Sequence, residues 1–377
     1  MASTTLKFED GAVQFRQRLA VSLLSHRTLL LKNIRSDSLD HPGLLEHEAS
    51  FLRLLDKMTN GSRIEINATG TQLRFKPGVL LGGDIQHVCS GTRSIGWFLE
   101  GILPLAPFGK DDLSLVLEGI TDGCCFQDPS PDYIKSSILP LMAHFGIGID
   151  KEESPPPSIQ IVQRGAAPNG VHGKVEFFCP MIKVLLPINV VDVGMIKRIR
   201  GTVTTCRLAP SSAARVAHSA KGLLHRLLPD IWIHTNANTT KQCGGITSPG
   251  LSLVLSAEST SGVVLSAECC IDPGQERGAE LPEDLGLRGA AMLLEEVRRG
   301  GCIDTTAQSL VLLWMCLGPE DVARIRVGTL SQYTIESLRL FKKVFDVEFK
   351  VRPDHDSQTV LLSCLGIGFR NMAKAST

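Results

Sequence analysis

Ser331 lies in the segment Thr329-Leu330-Ser331-Gln332-Tyr333-Thr334-Ile335, which offers the clearest candidate for chemistry in this chain. A serine hydroxyl acts as a nucleophile only when a neighbouring base takes its proton, whereas a neutral imidazole is competent near pH 7. The segment contains no histidine. We therefore interpret Ser331 as an exposed residue in a strand-to-helix turn, with Thr334 as the cap of the following helix.

Two acidic residues suggest a different chemistry. Asp10 and Asp304 could hold a metal ion, and a bound metal ion could activate water for RNA cleavage. Carboxylates near the start of a helix commonly cap it and interact with its dipole, and we interpret Asp304 in this way. No recognised nuclease motif surrounds either residue. An RNA-cleaving enzyme is therefore kept as the alternative interpretation.

A first basic cluster consists of Lys197, Arg198 and Arg200, which place three positive charges within four residues. Such a cluster is sufficient for a local contact with RNA phosphates, and the salt dependence of binding would measure it. The alternative is a solvated surface without a ligand.

A second basic cluster consists of Arg339, Lys342 and Lys343, at positions i, i+3 and i+4 of a predicted helix. These side chains project from a different face than the apolar residues of that helix. We predict a docking site for an acidic segment of a partner, with plain solvation as the alternative.

Cysteines and histidines do not indicate a metal site. The chain has eleven cysteines, but none of them form the Cys-x-x-Cys spacing that brings two sulfurs to one tetrahedral ion. Reduced and mostly buried thiols are the expected state in a cytosolic or nuclear compartment. The histidines are scattered along the chain. We expect no metal and no cofactor.

Composition limits the class of protein. The 377 residues are 43% hydrophobic and 21% charged, which is typical of a globular protein and not of a disordered chain. From this length we expect two domains. Thirty-nine basic residues balance thirty-nine acidic ones, so contact with RNA requires a local patch. The N-terminus lacks a signal-peptide pattern, and no apolar run reaches the ~18 residues that span a bilayer. We expect a soluble intracellular protein that does not bind membranes.

Apolar periodicity predicts alternating helices and strands. The predicted helices are Leu44 to Leu55, Ile95 to Leu103, Tyr133 to Phe145, Ala290 to Arg299, Thr306 to Leu317 and Ile335 to Phe345. The predicted strands are Arg63 to Asn67, Gln72 to Phe75, Leu113 to Leu117, Ser158 to Gln163, Lys174 to Cys179, Arg324 to Val327, Glu348 to Val351 and Thr359 to Cys364. We interpret them as three repeated helix and sheet units of an α/β (α+β) protein.

An insertion separates the second unit from the third. Its pattern predicts the helix Ser212 to Leu228 among the strands Ile199 to Thr204, Ile231 to His234, Leu251 to Ser256 and Gly262 to Glu268. We predict a core domain formed by residues 1–184 and 281–377, with a smaller inserted α/β domain at residues 185–280.

Nearly the whole chain resembles the RNA 3'-terminal phosphate cyclase family. The likeness is carried by Ile34-Arg35, Pro42-Gly43-Leu44, Gly82-Gly83, Lys197 to Gly201, Leu281 to Gly301 and Gly366-Ile367-Gly368. The resemblance implies a core of three repeated helix and sheet units with an inserted α/β domain. In those cyclases the position of Ser331 holds a histidine that attacks ATP and becomes linked to AMP.

Other positions of the cyclase active site also differ. The glycine-rich run near the N-terminus reads Asp10-Gly11-Ala12-Val13-Gln14-Phe15-Arg16-Gln17, Ser38 replaces an arginine, and Gln308 replaces an aspartate. Gln14 and Arg35 are kept. A covalent route without its nucleophile has no intermediate to form, so we predict a pseudoenzyme in which Ser331 is a degenerate catalytic position.

These losses resemble a cyclase-like, non-catalytic nucleolar branch of the family. The resemblance implies a factor in early pre-rRNA processing for the small ribosomal subunit, located in the nucleolus within the nucleus. It also implies membership of the small-subunit processome and binding to a large nucleolar GTPase. We predict that the former substrate groove binds an RNA backbone or an anion through Gln14, Arg16, Arg18 and Arg35. Solvated or salt-bridged surface groups are the alternative.

Aromatic residues do not indicate a base-stacking platform. The two tyrosines are Tyr133 and Tyr333, and Trp97, Trp232 and Trp314 all lie in apolar runs. Proteins that read single-stranded RNA stack bases on exposed aromatic rings. The sequence therefore favours a place in a larger particle that is mediated by protein contacts.

Overall fold

The computed structural model describes residues 5–122, 128–149, 155–239, 241–243, 247–271 and 280–371. Within these residues the strands form four four-stranded sheets and one two-stranded sheet. Three of the four-stranded sheets repeat one strand order, and the fourth belongs to the insertion. The predicted fold class, three helix and sheet units with an inserted α/β element, is confirmed.

The first unit follows the order strand, helix, strand, helix, hairpin. Its elements are β1 Leu6–Phe8, α1 Phe15–Ser25, β2 Leu29–Leu31, α2 Glu46–Met58, β4 Arg63–Ile66 and β5 Leu73–Lys76. The short strands β3 Thr59–Asn60 and β6 Val79–Leu80 form the two-stranded sheet. β1 pairs in parallel with β2, and β5 lies antiparallel between β2 and β4.

The second unit repeats this order. Its elements are β7 Gly83–Val88, α3 Ile95–Ile102, β8 Leu113–Gly119, a helix in three parts, β9 Ser158–Gln163 and β10 Gly173–Cys179. The three-part helix consists of α4 Pro131–Tyr133, the π-helical turn Ile134–Ile138 and α5 Leu139–His144. β7 is parallel to β8, and β10 lies antiparallel between β8 and β9.

The third unit has the same pairing but is interrupted after its first strand. Its elements are β11 Asn189–Val190, α8 Gln308–Leu317, β16 Val322–Val327, α9 Gln332–Phe345, β17 Lys350–Asp354 and β18 Thr359–Leu365. β11 is parallel to β16, and β18 lies antiparallel between β16 and β17. The insertion therefore enters between the first strand and the first helix of a unit.

The insertion is a sheet with two helices on one face. Its elements are β12 Ile196–Cys206, α6 Pro210–Leu224, β13 Ile231–Asn238, β14 Gly250–Ser259, β15 Val264–Cys270 and α7 Pro282–Arg299. The strand order is β13, β12, β14, β15, and only β12 and β13 pair in parallel. The two helices approach closely, since a Cβ on Gly286 of α7 would lie 2.4 Å from the Val216 carbonyl oxygen of α6.

Two hydrophobic clusters account for most of the buried apolar residues. One cluster joins the three units and includes Leu19, Phe98 and Phe341 from three different helices. The other lies between the insertion sheet and its helices, and includes Ile199 and Leu293. In the core, α1 contacts both α3 and α9. The helices of different units are therefore held together at the centre of the core by burial of apolar surface.

Most predicted elements are present, with three corrections. The helix Phe15–Ser25 and the strands Leu6–Phe8, Leu29–Leu31, Gly83–Val88 and Asn189–Val190 were missed. The first unit therefore begins two strands and one helix earlier than predicted, and the second unit begins one strand earlier. The helix predicted from Ala290 begins at Pro282 and packs on the insertion sheet. The predicted helix Tyr133 to Phe145 contains the π-helical turn. The domain boundaries at 185 and 280 stay a prediction.

None of the helices in the described part of the chain is long and apolar enough to cross a membrane.

Candidate functional site

Ser331 is the N-cap of α9. Its backbone is extended, with φ −72° and ψ 158°, and its Oγ accepts a hydrogen bond from the Thr334 backbone N–H at 3.1 Å. The first N–H groups of a helix have no partner within the helix, and a serine hydroxyl at the N-cap supplies one. The prediction that Thr334 caps this helix is wrong, and Ser331 is half-buried rather than exposed.

The surroundings of Ser331 are neutral. Its Oγ also lies 2.8 Å from Oγ1 of Thr334, whose side chain is buried and donates to Oε1 of Gln308 at 3.0 Å. Nε2 of Gln308 donates to the Thr329 carbonyl at 3.4 Å. The hydrogen-bond partners of Ser331 are thus an amide and a hydroxyl, and neither can take the proton of a nucleophile.

Gln14 is brought to the same place from the other end of the chain. It precedes α1 in a left-handed conformation, and its Nε2 donates to the Tyr333 carbonyl at 3.3 Å and to Ser337 Oγ at 3.1 Å. Ser337 in turn donates to Oε1 of Gln17 at 2.9 Å. We refer to Gln14, Gln308, Ser331, Thr334 and Ser337 as the Ser331 site.

Arg16 lies at the edge of this site and is already engaged. Its guanidinium forms an ion pair with Glu100 at 2.7 Å and lies 4.5 Å from the centroid of the Trp97 ring. A cavity of about 40 Å³ is lined by Arg16, Tyr133 and Tyr333, among others. Cavities that hold small-molecule ligands are usually ~300 Å³ or larger, so this one is too small for a nucleotide.

Arg18 and Lys343 meet at one aromatic ring. Arg18 is buried, pairs with Asp10 at 2.9 Å and stacks 4.1 Å from the Phe8 ring centroid. Lys343 lies 3.8 Å from the same centroid and donates to the Lys7 carbonyl at 3.0 Å. Partial burial and the nearby Arg18 charge lower the pKa of Lys343. Residues from two separate predictions therefore form one structural cluster.

Arg35 forms an ion pair with Glu48. Glu48 is buried, which raises its pKa, and it also accepts a hydrogen bond from the Leu45 backbone N–H at 2.9 Å. Arg35 lines a shallow depression together with the carboxylates of Glu9, Asp10 and Asp37. An anion bound in this depression would lie near three negatively charged carboxylates and one positively charged guanidinium, so the local charge opposes its binding.

The basic cluster on β12 is also paired. Lys197 and Arg198 share Glu258 of β14, at 2.7 Å and 2.5 Å, and Arg200 makes two hydrogen bonds to Asp230 at 2.9 Å and 3.1 Å. All three basic side chains remain about two-fifths exposed. Exposed ion pairs contribute only ~0–1 kcal/mol, so a phosphate can replace the carboxylate at small cost.

On α9, the predicted docking residues differ from one another. Arg339 is exposed and has no ion-pair partner among the described residues. Lys342 pairs with Glu348 at 2.6 Å on the surface. Lys343 belongs to the cluster at Phe8. A docking site on this helix stays a prediction, with Arg339 as its most accessible charge.

A buried hydrogen-bond network around Asp304 joins the second and third units. The sequence analysis did not predict that its residues lie together. Asp304 is 1% exposed and accepts hydrogen bonds from Tyr133 Oη at 2.5 Å and Ser137 Oγ at 2.8 Å. Its Oδ1 also accepts from the Ala307 N–H at 3.0 Å. Because α8 begins at Gln308 with Ala307 as its N-cap, Asp304 lies in the turn before the helix, and the interpretation of Asp304 as its cap is wrong. Burial raises the pKa of Asp304.

A second buried network surrounds Arg164. Its guanidinium pairs with Asp122 at 2.9 Å and with Asp132 at 2.5 Å and 3.0 Å. Although burial alone would lower it, the two carboxylates raise the pKa of Arg164. Asp122 and Asp132 follow the end of β8 in a stretch with prolines and serines, and this density of acidic residues was the signal available in the sequence.

Two histidines are core residues. His47 Nδ1 lies 3.2 Å from Thr92 Oγ1, and His87 Nε2 lies 2.9 Å from Ser50 Oγ. Burial lowers the pKa of each to about 4, so both are neutral at pH 7. Eight of the nine cysteines in the described ranges are buried, as predicted, while Cys124 and Cys125 lie outside those ranges.

Over the described ranges, no group of three or more His, Cys, Asp or Glu residues is arranged to hold a metal ion. Asp10 pairs with Arg18 in the first unit, whereas Asp304 is enclosed by Tyr133 and Ser137. The buried carboxylate of Asp304 is not accessible to an RNA chain. This placement disfavours a metal site built on Asp304.

The tryptophans differ from the sequence interpretation at one position. Trp97 and Trp314 are 5% and 0% exposed, as expected for apolar runs. Trp232 is 66% exposed on β13, in the parallel neighbour of the strand that carries Lys197, Arg198 and Arg200. The expectation that no aromatic ring is available for base stacking is therefore wrong.

Comparison with known proteins identifies relatives over the full length. The sequence profile of the family described as "RNA 3'-terminal phosphate cyclase" matches residues 7–351. The chain is 48% identical over 370 residues to the "RNA 3'-terminal phosphate cyclase-like protein" of Homo sapiens, covering 97% of this chain and 96% of the relative. It is 45% identical over 382 residues to a probable protein of the same description from Dictyostelium discoideum, covering 98% and 100%.

A further relative has a name that states a process. The "rRNA processing protein rcl1" of Schizosaccharomyces pombe is 39% identical over 376 residues and covers 99% of both chains. These relatives span the three units and the insertion, and the family profile extends from β1 into β17 of the third unit. This chain therefore belongs to the RNA 3'-terminal phosphate cyclase family.

Proposed function

We propose that this protein is a non-catalytic factor in rRNA processing, acting on the precursor of the small-subunit rRNA. In this proposal it works within the small-subunit processome in the nucleolus and binds a large nucleolar GTPase. It contributes binding surfaces and no cyclase chemistry. The proposal rests on the state of Ser331 and on the names of the relatives.

The hydroxyl of Ser331 carries the non-catalytic part of the proposal. It caps α9 and is hydrogen bonded to the N–H and the hydroxyl of Thr334. A serine in this position has no neighbouring base to activate it, and its oxygen accepts a hydrogen bond from the first turn of the helix. Loss of the nucleophile removes the covalent route altogether, because no adenylated intermediate can form.

The space beside Ser331 supports the same conclusion. The cavity lined by Arg16, Tyr133 and Tyr333 measures about 40 Å³ and has room for roughly one water molecule. The basic side chains that could hold phosphates, Arg16, Arg18 and Arg35, are paired with Glu100, Asp10 and Glu48 respectively. Binding of ATP here would require both a larger cavity and the separation of these pairs.

The biological role is supported by the relatives. The Schizosaccharomyces pombe relative is named for rRNA processing, and the human relative is named as cyclase-like. The GTPase partner, the processome and the nucleolar location follow from the resemblance to the non-catalytic branch. Binding to pre-rRNA is assigned to local basic patches because the net charge of the chain is zero.

Two assays on the purified protein test the chemistry. The first incubates it with labelled ATP and an RNA that ends in a 3'-phosphate, and we expect neither a covalent adenylate nor a cyclic phosphate end. The second incubates it with precursor rRNA, and we expect no cleavage. Cleavage that is abolished by alanine at a single acidic residue would instead establish the nuclease alternative.

Affinity capture from nuclear extract tests the role. The tagged protein is crosslinked, and the captured proteins and RNA are identified from one sample by mass spectrometry and sequencing. We expect a GTPase, other processome proteins and small-subunit precursor rRNA. Recovery of short RNAs with 3'-phosphate ends, without precursor rRNA, would overturn the proposal and reopen end-processing chemistry.

A further inference from the structure

We propose that the open half of the insertion sheet is a binding platform for single-stranded RNA, in which a base stacks on Trp232 and flanking phosphates contact Lys197, Arg198 and Arg200. We call the outward residues Arg198, Arg200, Thr202, Trp232 and His234 the insertion face. This inference rests on the proposed function in rRNA processing. The inference assigns the RNA-binding part of the proposed function to the insertion face.

Strand register places these residues side by side. β12 and β13 run in parallel, with Arg200 opposite Trp232 and Thr202 opposite His234. Residues directly opposite each other in paired strands project from the same face of the sheet. The alternate pair, Ile199 and Ile231, is buried in the cluster beneath α6 and α7. The polar pairs therefore face away from the helices of the insertion.

The same face of the sheet is covered at its other half. Val254 of β14 belongs to the hydrophobic cluster of the core, and the backbone N–H of Ser266 in β15 donates to Asp304 at 3.3 Å. The core thus packs on β14 and β15 and on the end of β12, where Thr204 is buried and Cys206 packs with Ala166. The part left open runs from Arg198 to Thr202 on β12 and includes Trp232 and His234 on β13. Trp232 and His234 are exposed on this open half.

An exposed tryptophan needs an explanation here. Trp232 is the most exposed aromatic residue in the described part of the chain, although the sheet beneath it is well packed. Large aromatic rings are usually buried in monomeric proteins unless they contact a ligand or partner. Its neighbours on this face are a guanidinium, an imidazole and hydroxyls, which are polar groups that also interact with nucleotides.

Charge favours a nucleic acid as the occupant. Arg200 lies opposite Trp232 in the strand register, and Lys197 and Arg198 precede it on β12. Together with the carboxylates of Glu258 and Asp230, these three basic side chains carry a net charge of +1 (three minus two). Phosphates compete readily with carboxylates for exposed lysine and arginine side chains. A protein interface would instead be expected to surround the tryptophan with further apolar residues. The geometry therefore fits an unpaired strand, whose bases are free to stack.

The first experiment measures binding of a 5'-labelled, 12-nucleotide single-stranded RNA to the full-length protein in low salt. We expect Trp232→Ala to weaken binding by at least about fivefold, since one base stacked on an aromatic ring contributes ~1–3 kcal/mol. Trp232→Phe keeps a ring and should stay close to wild type. The same RNA annealed to its complement should bind more weakly, because its bases are already paired.

Two further variants serve as controls. Leu39→Ala removes an apolar side chain that is 99% exposed on the surface of the first unit, and it should leave RNA affinity unchanged. Replacement of Lys197, Arg198 and Arg200 by glutamine should reduce the slope of affinity against salt concentration, because each lost phosphate contact removes a released counterion. Thermal melting of each variant confirms that it is folded.

Fluorescence gives a direct readout of the same contact. Trp97 and Trp314 are buried, so quenching on RNA addition reports on Trp232. We expect RNA to quench the wild type and to leave the emission of Trp232→Phe unchanged. Equal binding by wild type and Trp232→Ala, or no binding of the RNA by wild type, would overturn the platform.

Capture from nuclear extract separates failure of the platform from failure of the proposed function. If Trp232→Ala still crosslinks to precursor rRNA as wild type does, the platform is wrong and the function stands. If it loses a protein while its RNA crosslinks are unchanged, this face is a protein interface and the inference is also wrong. If wild type itself captures no precursor rRNA, the proposed function fails.

Discussion

The Ser331 site and the insertion face contain similar polar side chains in different surroundings. At the Ser331 site, amides and hydroxyls are hydrogen bonded to one another, and the nearby Arg16 is paired with Glu100. On the insertion face, Trp232 and His234 are exposed and the ion pair of Arg200 is open to water. Buried polar groups must be satisfied within the protein, whereas exposed ones remain available to a ligand.

A pair of arginines shows the difference most directly. Arg164 and Arg200 each make two hydrogen bonds to one aspartate, Asp132 and Asp230 respectively. Arg164 is buried and also pairs with the buried Asp122, whereas Arg200 and Asp230 are exposed. The same chemical pair is thus part of the core framework in one region and an exchangeable surface contact in the other.

The largest expected effect comes from replacing these arginines. Arg164→Met leaves Asp122 and Asp132 without their counter-charge, and we expect it to lower the free energy of unfolding by about 3–5 kcal/mol. Arg200→Met breaks a pair that is screened by solvent, and the variant should be about as stable as wild type. Chemical denaturation of both variants measures this difference. Equal losses would mean that the core and the insertion face do not differ as described.

The next effect concerns pH and the core histidine His87. Burial lowers its pKa to about 4, below the ~6.5 of an unfolded histidine. Between these values the unfolded state binds the proton that the folded state does not, so stability falls as pH falls. From pH 6.5 to 4.5 this term amounts to about 2 kcal/mol.

Denaturation of His87→Gln at several pH values checks this term. The variant should lose less stability on acidification than wild type. A His87→Gln curve that is parallel to wild type would show that His87 does not contribute to the acid sensitivity.

A smaller effect is expected at Ser331. Ser331→Ala removes the cap of α9 and should lower the free energy of unfolding by about 1 kcal/mol, whereas Ser331→Asp keeps an acceptor and should be close to neutral. Thermal or chemical denaturation distinguishes the two variants. Equal stability of Ser331→Ala and wild type would mean that the hydroxyl is not needed by the helix and is free for another role.

The smallest effect on stability is expected at Trp232. Because the ring is 66% exposed, Trp232→Ala should change the free energy of unfolding by no more than about 0.5 kcal/mol. Denaturation of this variant completes the comparison, since the same change is expected to weaken RNA binding. A loss of several kcal/mol would show that Trp232 serves packing within the insertion.

Much of the fold was accessible from the sequence, and the exceptions have physical causes. Helices with one apolar face, such as α2 and α9, were predicted because their periodicity is strong. Helix α1 was missed because it is buried on nearly all sides, including Gln17 and Arg18, and so has no polar face. β1 was missed because three residues are too few to show alternation.

Candidate site residues were harder to predict. Sequence analysis identified the segments of Gln14 and Ser331 as candidate site segments. It could not show that they lie together, because the contact between Gln14 and Tyr333 joins residues 319 positions apart. Periodicity also could not distinguish Trp232 from the buried Trp97 and Trp314, because all three lie in apolar runs. Which face of a strand is covered depends on what packs against it. That information is absent from the strand itself.

The sequence by itself determined the family and the three-unit α/β plan, because these depend on residue identity and local periodicity. The tertiary structure decided how the remaining polar groups are used. Ser331 caps a helix, the basic residues Arg16, Arg18 and Arg35 form ion pairs with carboxylates, and part of the insertion sheet is exposed to solvent. Burial sets these outcomes, since it requires polar groups to be paired and is created only when distant segments pack together.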